Sequence, residues 1–205
     1  MRERILEKTE ALMFRYGMKS VTMDDIAREV GISKKTIYQH YEDKDAIVLA
    51  MVSAHFEEER CVAVKQQVEA KDPIQEVVWA SEMMRQQLSE MNPTALYDMK
   101  KYYPKAWDLL AEFKKSFLLN LIRQNLLKGI EMGLYHKNVN VEVIARLRLE
   151  EVEIGFDPNL FPPAQFSIVE TQVAFLDHFI RGVATNKGLE LYQQYLKVEN
   201  KLPTY

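Results

Sequence analysis

The chain has 205 residues, 47% of them hydrophobic, and a net charge of −3. That is enough for a sizeable core, in one large domain or in a small domain joined to a larger one. Its single cysteine, Cys61, excludes an intramolecular disulfide framework, and no run reaches the ~18 apolar residues of a membrane span.

The charged start, MRERILEKTE, lacks the apolar stretch of a secretory signal. A cytoplasmic protein with no membrane partner is expected, and one cysteine fits a reducing compartment. Residues 1–50 hold nine Lys/Arg and nine Asp/Glu, whereas residues 51–205 hold 18 and 21. If this end binds nucleic acid, it must therefore use a local patch whose acids face elsewhere.

Ile5, Leu6, Thr9, Leu12, Met13 and Tyr16 recur at helical spacing, with charged residues between them, and predict an amphipathic helix ended by Gly17. After the link Met18 to Val21, Thr22 stands at an N-cap with Asp25 at the capping-box position. Asp24 and Asp25 suit the positive end of the helix dipole. Ile26, Ala27 and Val30 form the apolar side, and Gly31 stops the helix. Gly31-Ile32-Ser33 then supplies a turn, an apolar plug and a new cap, before a helix over Lys34 to Gln39.

Two short helices joined by a glycine-containing turn predict a helix-turn-helix. Its second helix enters the major groove N-terminal end first, where Ser33, Lys34, Lys35 and Thr36 sit. Lysines in a first turn oppose the helix dipole by up to ~1 kcal/mol each, a cost that phosphate neutralisation outweighs in a complex. Ile37 and Tyr41 pack inward, while Tyr38 and His40 present groups of the phosphate-contact type. Asp43 caps the next helix. Lys44 lies in its first turn, where a lysine and backbone N–H groups could hold a phosphate together.

The run from Ile5 to Ile47, and above all Val21-Thr22-Met23-Asp24-Asp25-Ile26-Ala27 with Gly31-Ile32-Ser33-Lys34-Lys35-Thr36-Ile37-Tyr38-Gln39-His40-Tyr41, resembles the DNA-binding head of the tetracycline-repressor (TetR) family. The resemblance covers about residues 5–50, a quarter of the chain. It implies an all-helical homodimer, a repressor that leaves DNA when a small molecule enters its C-terminal body. It places Thr22, Tyr38, His40 and Lys44 on phosphates, beside Ser33 and Lys34 at the same helix end. Lys35, Thr36 and Gln39 become the candidates for base edges. Lys35 stands where the family often has glycine, and Tyr41 where it usually has phenylalanine.

Behind the head, Asp43 to about Ala70 is expected as one long helix, and Pro73 opens another. Asn92-Pro93 repeats a cap-plus-proline start, with the segment ending near Tyr103-Pro104. Pro104 to about Gly129 is expected as a single helix, Asn138 or Asn140 caps Val141 to Ile154, and helices follow over 165–185 and 189–197. The fold expected is all-α: a three-helix helix-turn-helix head, residues 1–46, joined by a long helix to a ligand-binding and dimerisation body, residues 47–205.

Trp79, Met83, Tyr97, Tyr103, Trp107 and Phe113 are the candidates for an effector pocket, since such cavities are mainly apolar and methionine adapts to ligands. Ile168, Gln172, Phe175, Phe179 and Gly182 are the candidates for a homodimer interface. Twofold symmetry would then fit a palindromic double-stranded operator. The chain lacks phosphate-binding glycine loops and serine elbows, and its four histidines lie far apart, so no catalysis, metal or cofactor is expected. The competing reading is a helical interaction protein of the same fold without DNA binding.

Overall fold

The computed structural model describes residues 1–92 and 94–198. Within them the chain is helical apart from turns and one isolated antiparallel bridge between Tyr135 and Ala184. Pro93, expected to open a helix, and residues 199–205 lie outside the described residues. In chain order the helices are α1 (Arg2–Tyr16), α2 (Met23–Val30), α3 (Lys34–Tyr38), α4 (Lys44–Glu69), α5 (Pro73–Glu90), α6 (Ala95–Tyr102) and α7 (Pro104–Phe113). A π-helical turn, Lys114–Leu118, leads into α8 (Leu119–Glu131), followed by α9 (Val141–Ile154), α10 (Ile168–Val183) and α11 (Asn186–Val198).

Three boundaries depart from the sequence expectation, the last two for a local reason. The expected helix from Pro104 to Gly129 is interrupted by the π turn, where Lys114 reaches Glu153 at 2.6 Å and Glu150 at 3.7 Å. Helix α10 starts at Ile168, later than expected, because Ser167 caps it by accepting from the Glu170 N–H, and Gln165 and Phe166 are held in a turn by the Pro162 carbonyl. Helix α11 starts at Asn186, earlier than expected, because the Thr185 hydroxyl accepts from the Gly188 N–H at 3.3 Å. Of the two asparagines offered as caps for α9, Asn140 does the work, accepting from the Val143 N–H at 3.2 Å.

The chain gathers into two compact units, Met1–Arg60 with Leu88–Phe113, and Cys61–Gln87 with the described residues from Lys114 onward. This division runs elsewhere than the expected 46/47 boundary. Ile47, Val48 and Met51 of α4, with Met99, Tyr103 and Ala106, share one core with Ile5, Met13, Ile26, Val30 and Ile37. A small head alone buries too little apolar surface to be robust, so added helices stabilise it.

The second unit is centred on Ile74, Leu126, Tyr135, Ala145 and Ile180. Tyr135 is fully buried and donates its hydroxyl to Asn125 Oδ1 at 3.0 Å, while Asn125 Nδ2 donates to the Pro73 carbonyl at 2.9 Å. A Cβ on Gly129 would stand 2.0 Å from the Tyr135 ring, so the absence of a side chain there lets the ring close on α8. Gly129, taken from sequence as a helix end, thus lies within α8. Asp72 caps α5 at the Ile74 and Gln75 N–H groups and accepts from the Tyr195 hydroxyl. Burial pushes the Glu76 carboxyl up, against a hydrogen bond from Asn125 and the charge of Lys128.

Candidate nucleic-acid interface

The interface is built on α2 and α3. The Thr22 hydroxyl accepts from the Asp25 N–H at 3.2 Å, and the Asp25 carboxylate accepts from the Thr22 N–H at 3.0 Å and its hydroxyl at 2.6 Å. Such a box is worth about 1 kcal/mol and fixes where α2 begins. The Thr22 hydrogen bonds and nearby cations hold the Asp25 carboxyl below its ordinary value. Gly31 takes φ 72°, ψ 38°, the left-handed turn between the helices. Ser33 then caps α3, accepting from the Thr36 N–H at 3.1 Å, with its hydroxyl 2.9 Å from that of Thr36.

This places the predicted side chains in two groups. Lys35, Tyr38 and Gln39 are exposed and have no side-chain partner among the described residues. Thr22, Ser33, Lys34 and Thr36 sit at the same surface but are engaged locally. Lys34 reaches Asp24 at 3.1 Å, an exposed pair worth little in water and readily exchanged for a phosphate. His40 is partly buried beside them. Ile37 is fully buried and Tyr41 nearly so, as their spacing required. The Tyr41 hydroxyl finds no partner.

Lys44 has partners that the sequence reading did not name. Its ammonium donates to the Met18 carbonyl at 2.6 Å and the Lys19 carbonyl at 3.3 Å, and lies 5.6 Å over the Tyr103 ring. Burial pulls its pKa down, against the fields of Asp45, Asp98 and Asp25. These contacts tie α4 to the turn after α1. Sequence reading also missed Arg2 and Arg4. Arg4 donates to the Val30 carbonyl at 2.8 Å, and Arg2 stands 4.9 Å over the Tyr41 ring, bracing α1 against the reading pair. No local pattern signals these pairings, because the partners lie far along the chain.

The pocket and dimer candidates are scattered more widely. Trp79 and Met83 belong to one compact unit, and Tyr97, Tyr103, Trp107 and Phe113 to the other. Tyr97 is half exposed, while Phe113 is buried with its ring stacked on Phe56 at 4.6 Å. Tyr103 is buried, donates to the Met18 carbonyl, and borders a cleft of about 240 Å³. Its wall carries Glu42, Asp43, Asp45 and Lys105 beside the apolar Leu49, Pro104 and Ala106. Trp107 is partly buried beneath Lys100, whose ammonium stands 5.0 Å over its ring.

On α10, Gln172 is fully buried and donates to the Val152 carbonyl at 2.7 Å, and Phe179 lies in its own unit's core beneath Arg148. Both make these contacts within the chain. Ile168 and Phe175 are partly exposed, and open space faces Gly182. Val143, Leu147, Ile154, Leu160 and Phe166 are exposed apolar residues in or after α9 that the sequence reading did not select.

Residues 5–51 match the model of a family described as bacterial regulatory proteins, tetR family. The chain is 27% identical over 194 residues to the uncharacterized HTH-type transcriptional regulator YvaF of Bacillus subtilis, covering 91% of this chain and 97% of that protein. A TetR-family transcriptional regulator from Agrobacterium tumefaciens has a similar fold, with TM-score 0.73 and 16% identity over 90% of this chain and 97% of that one. The regulator FadR from Bacillus subtilis, solved in complex with stearoyl-CoA, aligns with TM-score 0.63 and 14% identity over 89% of this chain and 99% of its own. The family match thus coincides with the capped helix-turn-helix, and over nearly its whole length the chain is similar to an HTH-type transcriptional regulator.

Proposed function

We propose that the chain is a homodimeric repressor that reads a palindromic operator through α3 and leaves it when a small molecule enters the helical body. The observation that carries this is the uncommitted state of Lys35 and Gln39 on a capped helix whose inner face is buried. Lys35 supplies a donor for guanine and Gln39 a donor–acceptor pair for adenine, with Thr36 beside them. Ser33, Lys34, Tyr38, His40 and Thr22 take phosphates around them, as do Lys44 and the N–H groups at the start of α4.

Residues 1–46 serve as the DNA-binding part and residues 47–205 as the effector and dimerisation part, acting in the cytoplasm. The effector assignment draws support from FadR, whose structure holds stearoyl-CoA. Trp79 and Met83, both half-buried on α5, are its first candidate contacts. The dimer face consists of Val143, Leu147 and Ile154 of α9 with Ile168, Phe175 and Gly182 of α10, because exposed apolar stripes of this size mark contact surfaces.

Selection of bound duplexes from random sequence tests the reading. The expected product is a palindrome with half-sites about one helical turn apart, or a multiple of it, bound by a dimer. A monomer by sedimentation at micromolar concentration would reject the dimer, and recovery of no sequence at low salt would reject the regulator.

A further inference from the structure

The turn after α1 and helix α6 carry cations that base reading does not use. Lys19 and Lys101 both stand over the Tyr102 ring, with Nζ 4.8 and 5.4 Å from its centroid. Lys101 also donates to the Tyr97 hydroxyl at 3.1 Å. Both lysines are exposed, and neither has a carboxylate within ion-pair distance among the described residues. Their ammonium groups rest on tyrosines, which orient a cation without neutralising it. The hydrogen bond from Lys19, with the charges of both lysines, pulls the Tyr102 hydroxyl below its ordinary pKa. The acid beside them, Asp98, is buried, and its Oδ2 accepts from the Lys19 backbone N–H at 3.1 Å, which fastens the turn to α6.

Position connects this cluster to the DNA face. Met18 and Lys19 supply the carbonyls that hold Lys44 at the head of α4, and Thr22 follows three residues later. All of these residues lie in one compact unit. Residues 1–50 carry no net charge, so a duplex held there gains from Lys101, which adds a cation from outside that stretch beside Lys19 within it. We propose that Lys19, Tyr102 and Lys101 form an accessory site for backbone phosphates of the operator, outside the base pairs that α3 reads. The inference rests on the DNA-binding reading and extends its footprint onto α6.

The test measures binding against salt for wild type, Lys19→Ala, Lys101→Ala and the double variant. Each is titrated with two operator duplexes, one trimmed to the base pairs that α3 protects and one extended by about ten base pairs on each side. Each lysine that holds a phosphate takes about 0.9 off the slope of log K against log salt. The double variant should therefore lose about twice that on the extended duplex and nothing on the trimmed one. Unchanged slopes on the extended duplex, or equal losses on both duplexes, would overturn the accessory site while leaving the regulator reading intact. Wild type that binds neither duplex would remove both. Thermal melts of the variants separate a lost contact from a damaged head, and an equal loss with a lowered melting point counts against the proposal.

Discussion

Around the recognition helix, polar side chains are exposed and bonded to neighbours a few residues away, as in Thr22 with Asp25, Ser33 with Thr36 and Lys34 with Asp24. In the unit that holds most of the body, they are buried and bonded across long separations. Asn125 reaches Pro73, Asp72 takes the Tyr195 hydroxyl, and Gln172 reaches Val152. Surface bonds exchange with water at little net cost, whereas a buried donor or acceptor without its partner costs about 1–3 kcal/mol. The reading surface is thus free to vary in chemistry and to trade partners with DNA. The body is specified by matched polar contacts and shape. The head is not wholly local, however: Lys44, Tyr103, Arg4 and His55 tie it together over long separations.

The sharpest way to break this contrast is Gly129→Ala. A methyl group 2.0 Å from the Tyr135 ring has nowhere to go, and overpacking of this kind costs about 3 kcal/mol. Urea unfolding should show a lowered midpoint, and an unshifted one would mean the ring is not seated against α8. Next in size is Lys35→Ala. Operator binding should weaken by about 1–3 kcal/mol, with relaxed preference at one base position and an unchanged melting point. A uniform loss on every sequence would reassign Lys35 to the backbone.

The smallest effect sharpens the comparison from the head's side. His55 Nδ1 lies 2.8 Å from Glu10, and the ring meets Phe14 edge-on and packs beside Phe56. Burial opposes charging the ring, but the Glu10 hydrogen bond and the charges of Glu10, Glu59 and Glu58 outweigh it, so the pKa is raised above 6.5. A group whose folded pKa is raised stabilises fully below its unfolded value and loses that contribution as pH climbs through the folded one. His55→Gln should therefore lower stability most in mild acid, by no more than about 1 kcal/mol for a partly exposed pair, read as a lowered melting point. The gap should close toward alkaline pH, and a constant gap would show that the ion pair contributes nothing.

Much of the head was legible because its instructions are short-range. Thr22 and Asp25, Gly31, and Ser33 with Thr36 act within a few residues of one another, and the apolar spacing of Ile26, Val30, Ile37 and Tyr41 marks the buried side directly. The contacts of Lys44 were not legible because its partners, the Met18 and Lys19 carbonyls, lie 26 and 25 residues away. The body's helices were legible in outline, but their surfaces were not. Gln172 and Phe179 have the spacing of an interface stripe and turn out to be interior, and Tyr97 has the composition of a pocket and is half exposed.

The amino-acid order alone determined the all-helical class, the caps of α2 and α3, and the turn that presents α3, since each depends on backbone chemistry and periodicity within a few residues. The tertiary structure alone decided which faces of the body's helices are buried, that Gly129 admits Tyr135, and that Lys19 and Lys101 meet over Tyr102. Helical periodicity specifies a side of a helix but not its neighbour, and the neighbour is chosen by the packing of segments distant in the chain.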